Sequence, residues 1–127
     1  MIGYLGNIEQ LTVANEYFRK VLYTGQHAQL VLMSLKPNED IGVEVHEIVD
    51  QFLRVEAGKG TLVLNGEEHL VSDGDAFVVP AGTKHNVINA SSDNELKLYT
   101  VYSPPHHKDR TIHKTKQDAQ ADTEDHL

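Results

Sequence analysis

The stretch GDAFVVPAGTKHNVIN, residues 74–89, decides the fold. It sets an apolar strand, Ala76 to Val79, before a turn formed by Pro80 and Gly82, and it places His85 at the start of the next apolar run. A strand-turn-strand unit that holds one imidazole at a fixed place is typical of one half of a metal site. The other half must come from elsewhere in the chain.

Composition limits the classes of protein to which the chain can belong. Its 127 residues suit one domain, so a two-domain enzyme is not expected. The sequence has no cysteine, which excludes disulfides, a thiolate nucleophile and a thiolate zinc site. The 19 acidic and 11 basic residues give a formal charge of -8, which opposes binding to nucleic acid.

Apolar segments are short throughout the sequence. The run from Leu30 to Met33 is far below the ~20 residues that a membrane-spanning helix needs. The N-terminus also lacks a basic flank followed by an apolar segment, which a secretion signal would have. We therefore expect a cytoplasmic protein with no membrane partner.

Turn residues separate a series of short apolar runs. Asn65-Gly66 is the strongest hairpin signal, because both residues tolerate the positive φ angles of a tight turn. No segment before Ser103 shows a sustained helical period, and residues 1–15 stay unassigned. The pattern predicts an all-β barrel or sandwich of about eight to ten strands. The predicted strands are residues 17–23, 28–35, 42–46, 51–55, 61–64, 67–71, 76–79, 85–88 and 96–102.

Residues 74–89 match the second signature motif of the cupin superfamily at every defined position. That motif reads Gly74, five residues, Pro80, one residue, Gly82, two residues, His85, three residues and Asn89. The chain therefore resembles cupins. The resemblance implies an all-β fold with a single jelly-roll-like cupin β-barrel.

The first cupin motif is present in spacing but altered in residue type. The chain has Asn38, five residues, Glu44-x-His46, four residues, Gln51, six residues and Gly58. Asn38 stands for a Gly, Glu44 for the first His of the motif and Gln51 for its Glu. Glu44 and His46 are two residues apart, so in an extended segment their side chains project to the same side.

The resemblance implies a ligand set for a divalent metal. The positions that match the metal ligands of cupins are Glu44, His46, Gln51 and His85. Two imidazoles, a carboxylate and an amide oxygen suit zinc, manganese, iron or nickel. Type I phosphomannose isomerases, which are also cupins, use a Gln-x-His, Glu and His set around zinc. This chain is similar to that set with Glu and Gln exchanged.

The barrel domain, with an N-terminal arm, is expected to cover residues 1–105. Residues 106–127 form a polar, His-containing tail that is irregular and mobile at its end. His106 and His107 follow Pro104-Pro105, so a tail that folds over the barrel mouth would bring an acid or base to the substrate. The catalytic candidates are Glu44, His106 and His107.

Three functions are compatible with these residues. The first is a metal-binding cupin that acts as a sugar or sugar-phosphate isomerase, similar to mannose-6-phosphate isomerase. The second is a metal-dependent dioxygenase. The third is a non-catalytic cupin that binds a small molecule or has a regulatory role. Fold alone does not choose among them. Cupins that this chain resembles pair their barrel edges, so we also expect a homodimer, with residues 16–35 exchanged between the subunits.

Overall fold

The computed structural model describes residues 2–125, which form two antiparallel sheets around one apolar core. The larger sheet has six strands in the order β6-β3-β8-β2-β1-β9, and the smaller has three in the order β5-β4-β7. The elements are α1 (Ile8–Ala14), β1 (Arg19–Thr24), β2 (Gln29–Leu35), β3 (Asp50–Ala57), β4 (Lys59–Leu64), β5 (Glu67–Ser72), β6 (Ala76–Val79), β7 (His85–Ile88), β8 (Leu96–Ser103), β9 (Ile112–His113) and α2 (Lys116–Ala121).

The all-β prediction is confirmed, with nine strands among the described residues. Two local assignments differ from the structure. The segment 42–46 is not a strand, because Gly42 has a φ of 105° that ends the extended conformation, and only an isolated bridge between Glu44 and His85 remains. The unassigned N-terminus contains α1, which begins where the Asn7 side chain accepts a hydrogen bond from the Gln10 backbone N–H.

The inner face of the six-stranded sheet changes from apolar to polar along its length. Leu53 and Val55 on β3 and Leu98 on β8 are fully buried, and each contributes about 1.5–3 kcal/mol through burial. Side chains alternate along a strand, so the same face continues to Gln51 on β3 and to Thr100 and Tyr102 on β8. These three polar residues are also buried. They place a polar patch at one end of an otherwise apolar barrel. The buried apolar core residues come from both sheets.

The two ends of the altered first motif occupy strained backbone positions. Asn38 has a φ of 64°, a left-handed conformation that Asn adopts more readily than most residues, which explains why it can stand for Gly. Gly58 has a φ of 96°, and a Cβ at this position would lie 2.5 Å from the Glu95 carbonyl oxygen. Only glycine fits there. The spacing of the motif therefore reflects turns that the fold requires.

The segment after the barrel is more regular than the tail that the sequence predicts. β9 pairs with β1, and α2 begins at a capping box formed by Thr115 and Asp118. Lys116 at the start of α2 forms an ion pair with Asp40 of the barrel. The predicted tail also includes residues 126 and 127, which lie outside the described residues, and the mobility of its end stays a prediction. Neither helix in residues 2–125 has the length and apolar character needed to cross a membrane.

Candidate metal centre

Backbone hydrogen bonds join the two motifs at the barrel mouth. The Glu44 N–H donates to the His85 carbonyl oxygen at 2.9 Å, and the His85 N–H donates to the Glu44 carbonyl oxygen at 2.9 Å. The Gly82 N–H donates to the His46 carbonyl oxygen at 2.8 Å. As a result the side chains of Glu44 and His46 meet, with Oε2 and Nε2 separated by 3.4 Å. The prediction that these two side chains share one side agrees with this geometry.

His85 is oriented by a neighbouring carbonyl group. Its side chain is buried, and its Nδ1 lies 2.9 Å from the Thr83 carbonyl oxygen. A carbonyl oxygen only accepts, so Nδ1 carries the hydrogen and the Nε2 of the neutral ring keeps its lone pair. The His85 ring lies 5.2 Å from the His46 ring, measured between centroids. This is the tautomer that a metal ligand needs, supported by a backbone acceptor as is usual for ligating histidines.

Gln51 presents an unsatisfied oxygen to the barrel interior. Its Nε2 donates to Thr100 Oγ1 at 3.0 Å, which fixes the orientation of the amide. Its Oε1 is buried and has no hydrogen-bond partner among the described residues. Buried acceptors are nearly always satisfied, and leaving one unpaired costs about 1–3 kcal/mol. A cation at this point would satisfy it.

His106 joins the cluster from the C-terminal segment. Its ring centroid is 4.2 Å from that of His46, and the ligand atoms of Glu44, His46 and His106 all lie within 4.8 Å of one another. Imidazole nitrogens with a carboxylate oxygen are the donors that zinc, manganese, iron and nickel accept. The donor set, together with the unpaired Gln51 oxygen, fits a divalent metal.

Gln29 holds the backbone of His106 and His107 at the barrel mouth. Its Oε1 accepts from the N–H groups of His106 at 3.2 Å and His107 at 2.9 Å. Its Nε2 donates to the His107 carbonyl oxygen at 2.7 Å and to Thr24 Oγ1 at 2.9 Å. The Gln29 side chain is fully buried. The sequence signal for this role is a polar residue at a core-facing position of an apolar strand.

A second buried group of hydrogen bonds adjoins the cluster. His107 Nδ1 donates to Asp125 Oδ2 at 2.6 Å, and in this tautomer His107 Nε2 accepts from the Tyr102 hydroxyl at 3.3 Å. Burial raises the pKa of Asp125, but the hydrogen bonds from His107, Thr111 and the Lys108 backbone outweigh it and hold the pKa well below its usual range. Burial raises the pKa of Tyr102 well above its usual range, so Tyr102 remains a hydroxyl.

The structure thus brings the predicted residues to one end of the barrel. Glu44 and His46 are in direct contact, and His106 completes a group of three ligand atoms with them. The His85 ring lies next to the His46 ring, and Gln51 on β3 is buried in the barrel interior. The supporting residues are not predicted from the sequence; they are Gln29, Thr100, Tyr102 and Asp125.

A cupin-domain family model matches residues 31–102, which include the whole of both motifs. The chain belongs to the cupin family. This cupin is 49% identical over 124 residues to the uncharacterized protein YrkC of Bacillus subtilis (strain 168), a match that covers 93% of the chain and 66% of YrkC. It is also similar to the crystal structure of BH2720 from Bacillus halodurans, with a TM-score of 0.91, 44% identity and 94% of each chain covered.

One relative has a named activity. This cupin is 33% identical over 78 residues to quercetin 2,3-dioxygenase of Bacillus subtilis (strain 168), a match that covers 61% of the chain but 23% of the relative. The cupin therefore spans about two thirds of the length of YrkC and less than a quarter of the dioxygenase.

Proposed function

We propose that this cupin binds a divalent metal at the barrel mouth and catalyses an isomerase-like reaction on a small hydroxy-carbonyl compound, such as a sugar or sugar phosphate. The observation that carries the proposal is the group of ligand atoms from Glu44, His46 and His106, all within 4.8 Å of one another. Such a group fits zinc, manganese, iron or nickel.

The ligands that we propose come from three parts of the chain. Glu44 and His46 belong to the altered first motif, and His85 belongs to the second. Gln51 offers its unpaired Oε1, and His106 approaches from the C-terminal segment. His106 thus supplies an imidazole to a first motif in which Glu44 replaces one histidine.

The residues above would hold the metal, which would supply Lewis-acid polarisation of a carbonyl or hydroxyl oxygen and so acidify the neighbouring C–H group. The chain supplies the groups that hold and move protons. Tyr102 stays protonated and donates to His107 Nε2, and Asp125 holds the other nitrogen of His107. An aldose-ketose interconversion needs a base at carbon and a donor at oxygen. We propose that Glu44 or His106, whichever does not bind the metal, is the base and that the Tyr102-His107 pair is the donor.

The test is metal analysis of protein purified without an affinity tag, followed by thermal unfolding with added zinc, manganese, iron or nickel. We expect about one bound metal per chain and a rise in Tm that saturates with metal, since a ligand of the native state stabilises it. Aldose-ketose interconversion by the loaded protein would support the isomerase. Absence of both bound metal and any rise in Tm would refute the proposal.

The similarity to quercetin 2,3-dioxygenase favours a second function, a metal-dependent dioxygenase. This reaction requires a redox-active metal and molecular oxygen. Bound iron or nickel, with oxygen consumption in the presence of quercetin, would support it. Bound zinc without oxygen consumption would leave the isomerase as the better assignment.

We also propose a homodimer. In the described chain β1 lies between β2 and β9, so an exchange of residues 16–35 would break existing pairs. The edge strands β5 and β6 instead expose Leu70, at 89% of its surface, and Val78, at 57%. Exposed edge strands with apolar side chains favour pairing between chains. Sedimentation velocity would show a dimer, and a Leu70→Lys or Val78→Lys substitution should shift it toward monomer.

A further inference from the structure

An open cavity of about 210 Å³ lies beside the candidate metal centre. Its lining includes the candidate ligand Glu44 and two cationic residues, Arg19 and Lys116. Its apolar walls include Phe18, Ile41 and Ala119. A cavity that combines apolar walls with a few charged groups is typical of a binding site for a small molecule, although this volume is below the ~300 Å³ of a drug-sized site.

Arg19 is buried in this wall without a carboxylate partner. The residue is 7% exposed, and its Nη1 lies 3.1 Å from His113 Nδ1. His113 Nε2 lies 3.0 Å from Asp122 Oδ2, so His113 donates to Asp122 and offers a neutral lone pair to Arg19. Within residues 2–125, Arg19 Nε has no hydrogen-bond partner and no carboxylate forms an ion pair with this guanidinium.

The two cations in the cavity differ in whether a carboxylate balances their charge. Lys116 forms an ion pair with Asp40, which balances its charge. A guanidinium is always protonated, and burying it without an anionic partner is unfavourable. An anion from outside the chain would remove much of this cost.

Arg19 also lies within electrostatic range of the candidate metal centre. Burial is the main cause that raises the pKa of Tyr102, and Glu44 raises it further while Arg19 lowers it. Glu44 and Arg19 thus act on the same hydroxyl group from one cavity. Arg19 and Glu44 line the same cavity, so a compound of a few carbon atoms that contacts Arg19 at one end would reach Glu44 with the other.

We propose that Arg19 forms an anion subsite, so that the substrate is a small hydroxy-carbonyl compound with a carboxylate or phosphate group. The planar fork of N–H donors in arginine matches both groups. The anionic end would lie against Arg19, and the hydroxy-carbonyl end would lie toward Glu44. This inference rests on the proposed function, because it names the substrate class of the same site.

The test uses three ligands that differ at one end only: hydroxypyruvate, dihydroxyacetone phosphate and neutral dihydroxyacetone. Isothermal titration of metal-loaded protein should show at least one anion binding about 10-fold to 100-fold more tightly than dihydroxyacetone, the range of a charge-assisted hydrogen bond. The anion that binds more tightly identifies the substrate as a carboxylate or a phosphate.

Substitution assigns the preference to Arg19. Hydroxypyruvate can also chelate a metal, but that contribution is common to all variants, so the comparison between variants isolates the guanidinium. Arg19→Gln should reduce the ratio of anion to neutral affinity about 10-fold or more, and Arg54→Gln should leave it unchanged. Arg54 is a matched control, because it pairs with Glu56 and does not line the cavity. An unchanged ratio in Arg19→Gln would overturn the inference.

A second measurement avoids the risk that Arg19→Gln fails to fold. The chain has three arginines, Arg19, Arg54 and Arg110, so their Nε–H resonances can be assigned in the wild-type protein with Arg54→Gln and Arg110→Gln. Hydroxypyruvate or dihydroxyacetone phosphate should shift the Arg19 resonance, and dihydroxyacetone should not. No shift with either anion would overturn the anion subsite. If metal analysis finds no bound metal, both measurements can still be made on the metal-free protein. Failure of the metal proposal is therefore distinguishable from failure of the anion subsite.

Discussion

Asp125 Oδ2 lies 2.6 Å from His107 Nδ1, and both side chains are almost fully buried. The two residues are eighteen positions apart, with β9 and α2 between them. Asp125 also accepts hydrogen bonds from the Lys108 backbone N–H and from Thr111 Oγ1. This carboxylate thus joins the end of the described chain to the histidine pair at the barrel mouth.

The first prediction concerns the contribution of this pair to stability. Asp125→Ala should lower the free energy of unfolding by about 3 kcal/mol, because it removes one partner of a buried pair and leaves several donors unsatisfied. Asp109→Ala is the control, since the Asp109 side chain is 61% exposed and should change stability by less than about 0.5 kcal/mol. Urea unfolding monitored by circular dichroism measures both. Equal effects of the two substitutions would contradict the structural role of Asp125.

The second prediction concerns pH and the pair formed by Asp40 and Lys116. The hydrogen bond from Lys116 holds the pKa of Asp40 below its usual value. The pair should therefore stabilise the fold above the unfolded-state pKa of about 3.9, and this contribution should disappear as the pH falls through the lowered pKa of the folded state.

The comparison is between wild type and Asp40→Asn. At pH 7 the variant should be less stable by up to about 1 kcal/mol, a small value because both side chains are partly exposed to solvent. Below the folded-state pKa the two proteins should have the same free energy of unfolding. A difference that persists unchanged at low pH would show that the charge of Asp40 is not its cause.

The third prediction tests His106 as a metal ligand supplied by the C-terminal segment. His106→Ala should weaken zinc or nickel binding by more than about 100-fold. Loss of a residue that only supports a ligand weakens metal binding by about 10-fold to 100-fold, so a larger effect indicates a ligand. His27→Ala should leave metal affinity unchanged, since His27 is exposed and lies outside the cluster. Isothermal titration measures both affinities. Equal affinities of the two variants would restrict the ligands to the barrel residues.

The fourth prediction concerns the unpaired oxygen of Gln51. Gln51→Met keeps the side-chain length but removes both the unpaired acceptor and the hydrogen bond to Thr100, two effects of opposite sign, so the free energy of unfolding of the metal-free protein should change by less than about 1.5 kcal/mol. If Oε1 binds the metal, the same substitution should reduce the rise in Tm that metal produces. Differential scanning calorimetry with and without metal separates the two effects. A full rise in Tm in the variant would show that Gln51 only bonds to Thr100.

Much of the barrel could be predicted from local sequence, because turn residues and the alternation of apolar and polar side chains mark its strands. Asn65-Gly66 and the turn at Gly82 have positive φ angles, as their residue types require. The strand at 42–46 was predicted wrongly, since alternation there did not reveal the break at Gly42. The helix α2 was missed because its six residues are too few to show a helical period.

The sequence by itself determined the cupin barrel and the positions of Glu44, His46, Gln51 and His85, because motif spacing depends on strand and turn lengths along the chain. The tertiary structure alone decided which side chains support and surround them. Gln29 contacts His107 across 78 positions, and Arg19 contacts His113 across 94. Such contacts depend on which strands pair and where the C-terminal segment docks. Neither can be predicted from residue spacing along the chain. The stretch from Gly74 to Asn89 therefore identifies the fold and one candidate ligand, whereas the position of Arg19 beside the site follows from the packing of the whole chain.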